Sequence, residues 1–200
     1  GGHHNGALAS RLIVEQLAML PSGSMAERLV GLRRCLHELN RRLGQALTVT
    51  ADRPDPVIGS TVVALLMQAD RAACVWAGDS RCYLWRRGRL YQLSRDHSLL
   101  QQLIDEQSLS PQQAARHPAA NALTRAIGAS EQLTLDILEF DVYPGDTLLL
   151  CSDGLYQSLS PDSLGAALNA PSTGLAVQRL FEEAMVGPCR DNLSAVVIRL

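Results

Sequence analysis

Three aspartates in this chain share one kind of context. Asp79 follows Val75-Trp76-Ala77-Gly78. Asp153 follows Leu148-Leu149-Leu150-Cys151-Ser152 and precedes Gly154. Asp191 precedes Asn192 and a β-branched run. Two close an apolar segment and the third opens one. A carboxylate at a strand end has its backbone fixed by the ladder and its oxygens free to point beyond the sheet. Several carboxylates gathered at one rim repel each other, and their pKa values rise unless a cation compensates. An all-oxygen set of this kind suits Mg2+ or Mn2+ better than Zn2+. Gly-Asp, Asp-Gly and Asp-Asn are also ordinary turn dipeptides. By themselves, then, the three sites fit two roles, metal ligand and turn former.

The elements that must carry these residues follow from periodicity. Val62–Met67, Ala73–Ala77, Arg81–Arg86 and Leu90–Leu93 are short, apolar and closely spaced. Turns at Ala69-Asp70-Arg71, Gly78-Asp79-Ser80 and Arg87-Gly88 separate them, which predicts an antiparallel meander. Strand signals return at Thr134–Val142 and Thr147–Cys151, around the turn Pro144-Gly145-Asp146, and again at Leu193–Leu200. Helices are predicted over 7–20, with Leu8, Leu12, Leu17 and Leu20 as the apolar stripe, and over 24–47, with Leu29, Leu32, Leu36, Leu39 and Leu43. Ser24 and Glu27 form a capping-box pattern at the start of the second helix. Arg33, Arg34, Arg41 and Arg42 fall mostly on its other side, as a solvated face. Further helices are expected over 97–107, 111–117 (with Pro111 in the first turn after Ser110), 161–169 and 173–186. Thr50–Pro56 reads as a loop. The order of elements implies an α+β architecture, antiparallel sheets with helices packed outside.

Composition removes several alternatives. The 200 residues fit one domain, and 46% hydrophobic against 19% charged residues is a globular balance. No apolar run approaches the roughly 20 residues of a membrane helix, and no stretch is built like a signal peptide. The net charge of −2 gives no global attraction for a polyanion. Neither nucleic acid nor a membrane is an expected partner. All 18 basic residues are arginine, a usage that points to a GC-rich, bacterial source. Five cysteines at 35, 74, 82, 151 and 189 include no CxxC pair. They are expected to be reduced, buried, small hydrophobes, with Cys74 and Cys82 facing each other across a hairpin. The expected location is the cytoplasm.

Seven short motifs occur in one order: Gly59-Ser60-Thr61, Gly78-Asp79-Ser80-Arg81, Asp96-His97-Ser98, His117-Pro118, Leu123-Thr124-Arg125-Ala126-Ile127-Gly128, Cys151-Ser152-Asp153-Gly154-Leu155 and Asp191-Asn192. That order and spacing resemble the bacterial protein phosphatase 2C family, metal-dependent Ser/Thr phosphatases, over nearly the whole chain. The resemblance implies a four-layer sandwich of two antiparallel β-sheets flanked by helices (α-β-β-α), as a single domain over 1–200 with a flap-like segment over 97–125. It implies two Mn2+ or Mg2+ ions, with Asp153 and Asp191 as ligands and Asp79 helping Asp153 to hold a third, weaker metal. The implied reaction is hydrolysis of phosphoserine or phosphothreonine by a metal-activated water. The implied partners are phosphorylated proteins, substrates of a eukaryotic-type Ser/Thr kinase, and a monomer is expected. Arg81 and Arg125 look mainly structural in that family, and His97 looks like a residue of a strand–helix junction where Asp96 or Ser98 caps the helix.

The chain opens Gly1-Gly2-His3-His4-Asn5-Gly6-Ala7-Leu8-Ala9-Ser10. This resembles the tail of the family motif DGMGGH and the helix start after it. The metal-bridging aspartate, its glycine, the first strands and a phosphate-gripping arginine would then precede Gly1. His3 matches the histidine of that motif. Two roles fit it, contact with the substrate or its leaving oxygen as a catalytic residue, and a plain polar residue at a helix start. A tag remnant would give the same Gly-Gly-His-His. Two further readings of function stand beside the phosphatase. One is a non-catalytic phosphatase-fold binding or regulatory protein, and the other a hydrolase of small phosphates.

Overall fold

The structure is a computed structural model that describes residues 6–49, 59–187 and 191–200, and of 45–49 the backbone alone. The predicted loop over 50–56, His3 and Cys189 lie outside the described residues.

Two antiparallel sheets stack face to face. The chain runs α1 (Gly6–Ala18), α2 (Met25–Val49), β1 (Val62–Gln68), β2 (Arg71–Ala77), β3 (Arg81–Arg86), β4 (Arg89–Gln92), α3 (Leu99–Gln107), α4 (Pro111–Ala114), β5 (Asp136–Asp141), β6 (Thr147–Cys151), α5 (Asp153–Ser158), α6 (Pro161–Leu168), α7 (Thr173–Val186) and β7 (Ala195–Arg199). One sheet has the order β1-β2-β5 and the other β4-β3-β6-β7. Alternation along β2 shows why they stack. Ala72, Cys74 and Trp76 face inward, onto Cys82, Leu84 and Leu148 of the second sheet. Ala73, Val75 and Ala77 face outward, onto Leu32, Leu36 and Ile13 of α2 and α1. The far face of the second sheet packs Tyr83, Leu149 and Cys151 on Leu155, Leu164, Leu168 and Leu180 of α5–α7. The result is the expected α-β-β-α sandwich.

Local chemistry sets the helix starts. Ser24 and Glu27 exchange reciprocal hydrogen bonds before α2 (2.9 and 3.3 Å), and Ser110 with Gln113 does the same before α4. Arg33, Arg34, Arg41 and Arg42 lie on the exposed side of α2. Three expectations need correction. The strands do not form a meander, because β2 and β3 belong to different sheets and Gly78-Asp79-Ser80 carries the chain between them. Cys74 and Cys82 accordingly meet inside the sandwich, as free thiols, rather than across a hairpin. Leu8 is exposed, and α1 buries Gly6, Ala9 and Ile13 instead.

Candidate active site

The register of the second sheet defines one rim. Arg81 of β3 pairs with Cys151 of β6, and Cys151 pairs with Ala195 of β7. The segments carrying Asp153 and Asp191 therefore leave the sheet side by side. Asp79 arrives at the same rim on the crossing from β2. Gly78 makes that crossing at φ +116°, and a Cβ there would lie 2.4 Å from Thr61 Cγ2. No other residue tolerates both the dihedral and the approach. Among the described residues, no side chain hydrogen-bonds to the Asp79 carboxylate. Burial, and next the charge of Asp153, push its pKa up to about 6.

Asp153 opens α5, where the helix dipole favours a negative charge. Ser152 occupies the N-cap position but turns its hydroxyl elsewhere. Its Oγ donates to Asn192 O (3.1 Å) and accepts from Ser194 N (3.0 Å), while Ser152 N donates to Ser194 O (3.1 Å). This clip presses the Asp191-Asn192 turn onto Gly154, where a Cβ would lie 2.7 Å from Asn192 O. Asp191 Oδ1 accepts from Asn192 N (2.7 Å).

Around this rim the remaining polar groups are saturated. The Arg81 guanidinium spans Asp96 with two bonds (2.8 and 2.6 Å), donates to Tyr83 (2.9 Å) and lies 3.6 Å over the Tyr156 ring. Burial alone would lower its pKa, but these partners hold it raised. The Tyr156 phenol is pushed up by burial and then by Asp79. Ser80 Oγ meets Thr61 Oγ1 at 2.9 Å. His97 is 6% exposed, with Nδ1 accepting from Gly78 N (3.1 Å) and Nε2 3.2 Å from Asp136 Oδ2. Arg125 donates to the other Asp136 oxygen (2.7 Å). Ser98 caps α3, its Oγ accepting from Gln101 N, while Asp96 serves Arg81. His117 sits in a turn after α4.

Of the sequence-derived candidates, the structure brings Asp79 and Asp153 within electrostatic reach and docks the Asp191 segment beside them. Among the described residues, no three or more His, Cys, Asp or Glu side chains converge as a closed cage. His3 lies outside the described residues. The donor chemistry nevertheless fits a hard divalent cation. The site offers oxygen ligands only, and two facing carboxylates whose repulsion such an ion relieves. Asp96, His97, Asp136 and Tyr156 were not foreseen as rim residues; their partners lie 11 to 75 positions away.

Comparison with known proteins now fixes the class. Residues 1–186 match the family model for protein phosphatase 2C. The chain belongs to the protein phosphatase 2C family. The serine/threonine protein phosphatase PstP of Mycobacterium tuberculosis is 34% identical over 205 residues, 98% of this chain and 38% of that protein. The serine/threonine phosphatase stp of Listeria monocytogenes is 32% identical, across 86% of this chain and 70% of that one. A structure of PppA, a key regulatory component of T6SS in Pseudomonas aeruginosa, superposes with a TM-score of 0.89 at 38% identity. It covers 100% of this chain and 82% of that one. The catalytic domain of PstP in complex with two manganese ions gives 0.82 at 31% identity, covering 98% and 82%. The chain thus spans 38% of the length of its mycobacterial relatives.

Proposed function

We propose that the protein is a metal-dependent Ser/Thr phosphatase that hydrolyses phosphoserine and phosphothreonine in proteins. The observation that carries this reading is that Asp79 and Asp153 share one sheet rim within electrostatic reach, with the Asp191 turn clipped to Ser152 beside them. Asp153 and Asp191 would be ligands of the two tighter Mn2+ or Mg2+ ions, and Asp79 with Asp153 would hold a third, weaker one. A bound divalent cation lowers the pKa of water and neutralises phosphoryl charge. The chain's own residues do the rest. Gly78 and Gly154 let the three loops approach, and Ser152 joins two of them. Arg81, fully engaged by Asp96 and Tyr83, braces the rim rather than binding phosphate. The segment over 97–125, tied at its neck by Leu99 N to Ala122 O (2.9 Å) and Leu100 N to Ala120 O (2.8 Å), stands beside Asp79 as the flap.

The partners in this reading are phosphorylated proteins of a eukaryotic-type Ser/Thr kinase, met as a monomer in the cytoplasm. The competing reading is a non-catalytic phosphatase-fold binding protein. Hydrolysis of a phosphothreonine peptide with Mn2+ and with EDTA separates them. Turnover that EDTA abolishes is the expected result. Peptide binding without turnover would overturn the enzyme reading, and equal turnover of free nucleotides would make it a small-phosphate hydrolase.

A further inference from the structure

We infer that His97 is a positioning residue, one that sets the Gly78–Asp79 backbone so that the Asp79 carboxylate can take a cation. The inference rests on the metal reading of Asp79 given above. His97 holds Gly78 from both sides, since Gly78 N donates to His97 Nδ1 (3.1 Å) and His97 N donates to Gly78 O (3.0 Å). A backbone N–H only donates, so Nδ1 carries no proton. The proton of the neutral ring is on Nε2 and is donated to Asp136 Oδ2 (3.2 Å). Arg125 Nη1, 3.2 Å from the same nitrogen, then has no acceptor there and bonds Asp136 Oδ1 instead (2.7 Å). Trp76, two residues ahead of Gly78, stacks on the ring with centroids 6.1 Å apart and planes at 17°.

The tautomer, the ring plane and the Gly78 peptide therefore fix one another. On the other side of Asp79, Ser80 is held by Thr61 and Arg81 by Asp96. Asp79 is thus the residue of the crossing whose carboxylate no other described side chain hydrogen-bonds, between neighbours that are both anchored. Adjacent residues Asp96 and His97 supply two of those anchors. His97 O also accepts from Thr124 N (2.9 Å), so the same residue joins the two ends of the 97–125 segment. A histidine that only filled space would need neither the specific tautomer nor the hydrogen bonds to both polar groups of Gly78.

The test compares two substitutions that split the ring's two roles. His97→Asn places an amide oxygen where Nδ1 lies and keeps the acceptor for Gly78. His97→Gln reaches Asp136 but leaves Gly78 N without its partner. The 200-residue chain, labelled with 15N, is titrated with Mn2+ while paramagnetic broadening is read at Asp79 and Asp153. The expected result is a rise of about tenfold or more in the Mn2+ needed for half-broadening at Asp79 in His97→Gln, with near wild-type behaviour in His97→Asn. Equal midpoints in the two variants, or an unchanged His97→Gln, would overturn the inference. A second reading needs no variant to fold. The wild-type chain should show 15N–15N coupling across the Gly78 N to His97 Nδ1 hydrogen bond, and its absence would also overturn the inference. No broadening at Asp79 in the wild type, with that coupling present, would instead overturn the metal reading on which the inference stands.

Discussion

β3 begins at Arg81 and ends at Arg86, and each arginine grips an aspartate through two bonds of 2.8 and 2.6 Å. The two ends of the strand nonetheless differ. At the Arg86 end, Asp146 is buried and also accepts from Tyr143 N (2.8 Å), and the Arg86 hydrogen bonds hold its carboxyl below the ordinary range. Arg86 adds a bond to Asp141 O and covers the Tyr143 ring. Charge and hydrogen bonds balance there, and the result is a brace. At the Arg81 end the one guanidinium spends its hydrogen bonds on Asp96 and Tyr83, while burial and the charge of Asp153 together push the Asp79 carboxyl up despite Arg81 nearby. Incomplete compensation at one end, set against complete compensation at the other, is what marks a binding rim off from a structural corner.

Substitutions can break that contrast. The largest effect is expected at Asp153. Asp153→Ala should cut Mn2+-dependent turnover of a phosphothreonine peptide by about 100-fold or more, with Asp191→Ala behaving alike; wild-type rates at limiting Mn2+ would remove both from the site. Asp146→Ala, at the balanced end, should leave turnover per folded molecule intact and cost about 3 kcal/mol of stability. Thermal unfolding would then shift down by about 6–12 °C, and an unchanged midpoint would show that the Arg86 pair is no brace. Gly154→Ala should cost about 1–3 kcal/mol, because its Cβ meets Asn192 O. It should weaken Mn2+ binding as well, since the Asp191 turn has to move.

Asp79→Asn sharpens the contrast from the other direction. A carboxyl whose folded pKa is raised lends stability below its unfolded pKa of 3.8 and withdraws it as pH rises through about 6. In EDTA, Asp79→Asn should therefore unfold at a higher temperature than the parent at pH 7–8, with the gain shrinking below pH 6 and gone near pH 3.8. A variant less stable at pH 8 would show that the Asp79 charge is compensated after all. The smallest effect is expected on α2, where replacing Arg33, Arg34 and Arg42 with Gln should change stability by less than about 0.5 kcal/mol and leave turnover unaltered. A large loss of activity there would reveal a substrate surface.

Much of this molecule was legible in its residues. β3 and β6 have the predicted limits, and the Ser24 and Ser110 caps form as their spacing requires. Asp79 and Asp153 share a rim because both follow strands that end there. The rest depended on which surfaces meet. Gly78-Asp79-Ser80 has the chemistry of a hairpin turn, and only the burial of β2 on both faces shows that it leads to a second sheet. In α1 the apolar residues surround the helix, so Leu8 and Ile13 competed for the core on equal terms until α2 chose Ile13. α5 is six residues long and starts on Ser-Asp-Gly, which reads as a turn until Leu155 finds the core.

The Ser152 clip has a consequence for how the protein is made. Its partners Asn192 and Ser194 are synthesised about 40 residues after it, once α5, α6 and α7 have been laid down between. On the ribosome, a nascent chain can complete most of both sheets while Asp191 is still inside the exit tunnel. Among the described elements the carboxylate rim is therefore completed late, and translation itself withholds the Ser152 clip until α5, α6 and α7 have been made.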